Sequence, residues 1–229
     1  VSIVQSLPIT SYCERLNSGI FSEPLNLFTN AFFLVSAIFA WHKLSGTYVT
    51  HRRYIESLIA TVAVIGIGSA SFHAVPNNFT LLLDVVPIYV FVQAVLILLL
   101  KKLIRSWLYV GMFTAAFAVV LISALIYVPI TVLNGSTPYV IILSSLVGIL
   151  CWYLKEYGRL ALRLLPVLLL FSFAIAARSI DQFACSSVPF GTHFIWHSLA
   201  AAASYFAIAF LIQLCEQHKQ ALTVNPARC

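Results

Sequence analysis

Residues Ser69–Asp84 read S-A-S-F-H-A-V-P-N-N-F-T-L-L-L-D. The stretch closes one long apolar run, turns at Val75–Asn78 and opens another. Such runs normally carry no polar groups, yet Ser69, His73 and Asp84 stand in these. On a helix, Ser69 and His73 share a face, one turn apart. Asp84 falls about one turn into the next helix. Far downstream, G-T-H-F-I-W-H sets His193 and His197 at the same spacing. The expectation is that these five residues meet, hold a metal ion and perform hydrolysis.

Composition fixes the class. Of 229 residues, 61% are hydrophobic and 9% charged. A soluble domain of that size cannot hide so much apolar surface, so the chain reads as an integral membrane protein. The segment V-S-I-V-Q-S-L-P-I-T is too short and too polar for a signal peptide. No linker, charge run or repeat divides residues 1–229, which read as one domain. The net charge of +6 is scattered among loops, which suits a membrane and not nucleic acid.

A helical crossing takes about 20 apolar residues. Seven stretches qualify, at 24–43, 54–74, 80–100, 107–129, 137–154, 160–178 and 192–214. The fold expected is an all-α seven-transmembrane bundle. Eleven of the thirteen Lys and Arg then fall on one side, and only Arg15 and Arg178 on the other. The positive-inside rule puts the N-terminus outside and the C-terminus in the cytoplasm. With that topology Ser69, His73, Asp84, His193 and His197 all lie in the outer layer.

Ionisable groups within a bilayer are costly and usually face the bundle interior. Three imidazoles suit Zn²⁺ and leave a fourth position open for water, the pattern of a catalytic site. An Asp alongside can take a proton and return it to a leaving amine. Ser69 can hydrogen-bond a substrate oxyanion or the water. Each residue also has an ordinary reading. A His at a helix end is usually interfacial, a Ser often bonds its own helix, and Asp84 suits a helix N-terminus. Their occurrence together in one layer favours the site. His42, His51 and His218 fall on the cytoplasmic side and read as solvated.

At these residues the chain resembles the alkaline ceramidases and the wider superfamily of seven-helix membrane hydrolases that includes the adiponectin receptors. The shared pattern is S-x-x-x-H, then an Asp, then H-x-x-x-H in the last helix. The ceramidase branch adds a Cys-Glu near the N-terminus and a Glu with nearby Asn entering helix 1. Here these are Cys13-Glu14, Glu23, Asn26 and Asn30. The resemblance implies Zn²⁺ on His73, His193 and His197, with Asp84 and Ser69 completing the site. It implies hydrolysis of the N-acyl amide of a sphingoid base, releasing a fatty acid. A membrane lipid is then the partner, with no obligate protein partner. Eukaryotic relatives also bind Ca²⁺ through acidic N-terminal residues, whose counterparts are Glu14, Asn17 and Glu23. The spacing of the two Glu is shorter here, and further acidic residues are missing. The short loops and tail look bacterial, which implies an inner-membrane protein with its site toward the periplasm.

Cys13 and Cys185 both fall outside, where oxidising conditions permit a disulfide, and the resemblance points the same way. Cys151, Cys215 and Cys229 are expected reduced. Arg178 and Asp181 read as a local ion pair at the end of their helix, or as contacts for a lipid headgroup. A seven-helix receptor with structural zinc is the competing class, and a haem protein a third. Asp84 and Ser69 beside an open His triad favour the enzyme. Clustered rather than opposed His argue against haem. Another lipid amide or ester remains an alternative substrate.

Overall fold

The turn at 75–78 joins two helices into a close hairpin. Helix α3, Arg52–Ala74, ends there and α4, Asn78–Leu103, begins. Asn77 sets the start of α4. Its side chain accepts from the N–H groups of Phe79 and Thr80 at 2.9 and 3.0 Å. The Thr80 hydroxyl in turn accepts from the Asn77 N–H at 3.0 Å, closing a capping box. Two helices can come close only where a small residue faces the neighbour. Gly68 is that residue, for a Cβ there would collide with the Leu83 carbonyl. The contact brings the next residue, Ser69, up to Asp84.

This computed structural model describes residues 12–17 and 19–224, with side chains as far as residue 216. Lys219, Arg228, His218 and Cys229 therefore lie outside the described side chains. Before the hairpin come α1, Pro24–Thr29, and α2, Ala31–Ser45. After it come α5, Trp107–Tyr127, α6, Thr137–Tyr157, α7, Leu165–Ala184, and α8, His193–Val224. Short 3₁₀ turns at Val132–Gly135 and Gly158–Leu164 flank α6, and no strand occurs among the described residues. Proline stands in the first turn of α1, α6 and α7, where its missing N–H costs nothing.

Six stretches are long and apolar enough to cross a bilayer: Pro24–Ser45, Arg52–Ala74, Asn78–Leu103, Trp107–Tyr127, Thr137–Ala184 and His193–Glu216. The protein is thus an integral, multi-pass membrane protein. The two stretches expected at 137–154 and 160–178 fall within the single run Thr137–Ala184, which holds both α6 and α7. The first expected helix is broken at Asn30, whose side-chain amide donates to the Asn26 carbonyl at 2.8 Å. The break lets the short α1 lie against α3 and α8. The last helix runs on past the expected residue 214, because hydropathy marks where apolar residues stop and not where helix stops.

Helix α8 is the axis of the bundle. Buried residues make up 61% of its apolar stretch, against 22% for α5. Its small residues Ala200, Ala201, Ala203 and Ala207 let neighbours pack closely, and it touches α1, α2, α3, α4 and α7. Large side chains of α5 such as Met112, Phe113, Val119 and Ile122 point outward, as lipid-facing residues do. The N-terminal segment closes one end of the bundle. Tyr12 and Cys13 are buried there, and Cys13 is disulfide-bonded to Cys185.

Candidate metal centre

The last turn of α3 and the first turns of α8 meet under that N-terminal segment. His73, His193 and His197 come together with one ligand atom from each within 4.8 Å of the others. Their ring centroids lie 4.6–5.3 Å apart. All three are buried, none more than 2% exposed. Among the described residues this is the one group of its kind.

Two of the ring nitrogens face no hydrogen-bond partner although they are buried: His73 Nε2 and His193 Nδ1. A buried polar atom left alone costs about 1–3 kcal/mol. Three neutral imidazoles converging with free lone pairs form a donor set that fits Zn²⁺ well. The outward nitrogens are held in a way that suits ligation. His73 Nδ1 meets Glu23 Oε2 at 2.5 Å. A carboxylate only accepts, so Nδ1 carries the proton and Nε2 keeps its lone pair. His197 Nδ1 lies 3.1 Å from the Thr29 hydroxyl. That hydroxyl has one proton, and it is given to the Leu25 carbonyl at 2.6 Å. Thr29 therefore accepts from His197, which leaves Nε2 of His197 free to ligate. The Tyr12 ring stacks on His193, with centroids 4.0 Å apart.

Helix α8 is aimed by a residue of α7. Asp181, fully buried, accepts from the N–H groups of Thr192 and His193 at 2.6 and 2.9 Å. Its other oxygen takes the Cys13 N–H at 3.2 Å. Gly191, at φ 66°, makes this possible, since a Cβ there would strike the Asp181 carboxylate. The Arg178–Asp181 ion pair expected from the sequence does not form. Asp181 is spent on backbone N–H groups, while the Arg178 guanidinium lies over the rings of Tyr139, Trp196 and Tyr12 at 5.4, 5.6 and 6.0 Å. It also donates to the Tyr12 hydroxyl at 3.4 Å, and its Nε has no partner.

Ser69, 3% exposed, lies against the half-buried Asp84 carboxylate. Arg178 is close enough for its charge to act on Asp84 and on both His193 and His197. Asp84 itself stands outside the group of three ligand atoms. Both oxygens of Glu14 accept backbone N–H groups, from Leu25 at 2.6 Å and Asn26 at 2.9 Å, and so cap α1 from a distance. Asn17 Oδ1 accepts from the Gly19 N–H at 2.8 Å and from the Ser22 hydroxyl. Glu23 is held by the Arg15 guanidinium, by His73 and by the Asn26 amide. Burial works against the charge on Glu23, but the hydrogen bonds it accepts from His73, Asn26 and Arg15 hold its carboxyl below the usual range.

A family model described as Ceramidase matches residues 9–225, nearly the whole chain. The chain belongs to the ceramidase family. No curated protein matches it. For a ceramidase, the activity to be explained is hydrolysis of an amide bond, and a buried His73, His193, His197 cluster is a fitting place for the metal ion of a metalloenzyme. Beyond what the sequence shows, the fold gives the imidazoles partners: Glu23 on His73 and Thr29 on His197. Arg15 and Tyr12 join them at the centre.

Proposed function

We propose that this protein is an intramembrane zinc amidase that hydrolyses ceramide-like N-acyl sphingoid lipids to a fatty acid and a sphingoid base. The observation that carries the reading is the meeting of three buried imidazoles, two with partnerless nitrogens, beside Asp84 in a chain of the ceramidase family. Farther along α8 lies an apolar pocket, which none of the three histidines lines but which Trp196 reaches. Trp196, between the two histidines of α8, lines it together with Phe33, Ile65, Phe91 and Phe171. A hydrocarbon chain fits such walls, and its amide end would then sit at the histidines.

Zinc held by His73, His193 and His197 supplies Lewis acidity, which makes water a competent nucleophile near neutral pH. The chain's own residues do the rest. Glu23 and Thr29 fix the proton positions of two imidazoles. Asp84 takes the proton of the attacking water and delivers it to the nitrogen as the carbon–nitrogen bond breaks. Ser69 orients the Asp84 carboxylate. Trp196 and the aromatic wall keep bulk water from the acyl side.

In this reading the bundle crosses the bilayer seven times, with α6 and α7 as separate passes. Arg178, near the end of α7, lies over Tyr139 at the start of α6, so the two helices run in opposite directions. The charge count then places the N-terminus outside, the C-terminus in the cytoplasm and the site in the outer layer. The Cys13–Cys185 disulfide supports an oxidising exterior at that end. Short loops suit a bacterial inner membrane with the site facing the periplasm.

The test is incubation of purified protein with a panel of lipid amides and esters, followed by mass spectrometry of released fatty acids. Release from ceramides, lost after zinc is stripped and recovered when it is returned, is the expected result. Release from esters alone, or release that survives full removal of zinc, rules the reading out.

A further inference from the structure

Arg15 stands where the sequence leads one to look for calcium. Ca²⁺ takes 6–8 oxygen ligands, several of them charged. The oxygens available here are committed elsewhere. Glu14 caps α1, and the Asn17 side chain serves its own turn. What the N-terminal segment puts between Glu23 and the end of α3 is a guanidinium. Arg15 is 3% exposed. Its Nε pairs with Glu23 Oε1, and its Nη2 donates to the His73 carbonyl at 2.6 Å. Its Nη1 reaches the Asn17 carbonyl at 3.5 Å. A carboxylate and two carbonyls from three segments thus converge on one cation that is part of the chain. The partnerless oxygens of Asn26 and Asn30 are neutral and bring no charge to offset a divalent ion.

We propose that Arg15 is a fixed internal cation that takes the place of calcium at this centre, and that it positions His73 through Glu23. A guanidinium is charged at every working pH and presents its donors in a rigid fork. It neutralises Glu23, so the carboxylate can stay buried and hold the Nδ1 proton of His73. Its bond to the His73 carbonyl fixes the backbone that carries the same imidazole. A bound ion would do this only where its concentration is high enough to fill the site, whereas Arg15 does it always. The centre is therefore independent of calcium. The positioning role rests on the zinc reading above; the independence from calcium does not.

The experiment uses the full chain purified in detergent. First, thermal unfolding and zinc content are measured on wild-type protein with calcium removed by a calcium-selective chelator, and again with millimolar CaCl₂. Both should be unchanged. A saturable rise in the unfolding midpoint with Ca²⁺ overturns the proposal. Second, zinc retention against a competing chelator is compared in wild type, Arg15→Gln and Arg15→Lys. Loss of this outer support should weaken zinc binding about 10–100-fold in Arg15→Gln. Arg15→Lys, which keeps the charge, should recover part of that loss. Wild-type retention in Arg15→Gln removes the positioning role. Should Arg15→Gln fail to fold, Arg15→Lys against wild type reads the role, and equal zinc retention in the two overturns the rigid fork. A wild-type protein that carries no zinc defeats the amidase reading, and the calcium titration still stands by itself.

Discussion

Asp84 stands beside the imidazole cluster and outside it, and that placement sets what its loss should do. A group that moves protons can be replaced by one of the same shape without disturbing the metal. Asp84→Asn is expected to keep zinc and thermal stability and to lower turnover roughly 10²–10⁴-fold. Fatty-acid release and zinc content measured on one preparation decide it. A carboxylate with only a structural part would show the reverse, lower stability with turnover per zinc unchanged. His73, His193, His197, Ser69 and Asp84 could be picked out from the sequence because helical spacing and shared depth are one-dimensional facts. Glu23 and Thr29 as imidazole partners could not. Each lies far from its partner along the chain, 50 residues for Glu23 and His73 and 168 for Thr29 and His197. Glu14 and Glu23 attract attention as acidic residues, but only the fold shows that their oxygens are given to N–H groups.

At the level of elements, the Asp181 cap on α8 carries the most. It joins α7, the Cys13 backbone and the first turn of the helix that bears both His193 and His197. Gly191→Ala would put a methyl group into that carboxylate and strain a backbone at φ 66°. The expected result is a loss of about 1–3 kcal/mol of stability, together with weaker zinc retention, because a buried cap is left unmade. Thermal unfolding with a zinc assay reads both. An unchanged midpoint would mean that α8 holds its place without the cap. The turn at Val75–Asn78 is visible in sequence because it depends on local chemistry, whereas the expected stretch 160–178 missed that α7 begins only at Leu165, after a 3₁₀ turn. The break at Asn30 is not visible in sequence either, since its cause lies in what α1 packs against. The Arg178–Asp181 spacing misled for a related reason. Helical neighbours are drawn to each other only when nothing better is near, and both residues found other partners.

For the whole molecule, the informative residues are the exceptions to the charge asymmetry. With the seven crossings proposed above, Arg15 and Arg178 are the two basic residues set apart from the other eleven. They are also the two whose guanidinium groups lie at the metal centre, one on Glu23 and the other among Tyr12, Tyr139 and Trp196. The Cys13–Cys185 link closes a separation of 172 residues. In a soluble chain a loop of that length would contribute about 5 kcal/mol. Membrane helices stay inserted when tertiary contacts are lost, so most of that entropy is never available. Reduction should therefore leave helix content intact by circular dichroism while zinc passes to a chelator faster. Loss of helix on reduction would contradict this. The same link has a consequence in time. A ribosome makes Cys13, Arg15 and Glu23 first, and His193 and His197 last. None of the three imidazoles has its full set of neighbours until α8 has entered the membrane and the loop before it has met the segment around Cys13. A nascent chain that lacks α8 thus has no assembled imidazole cluster, and the candidate metal centre forms only once α8 is in place.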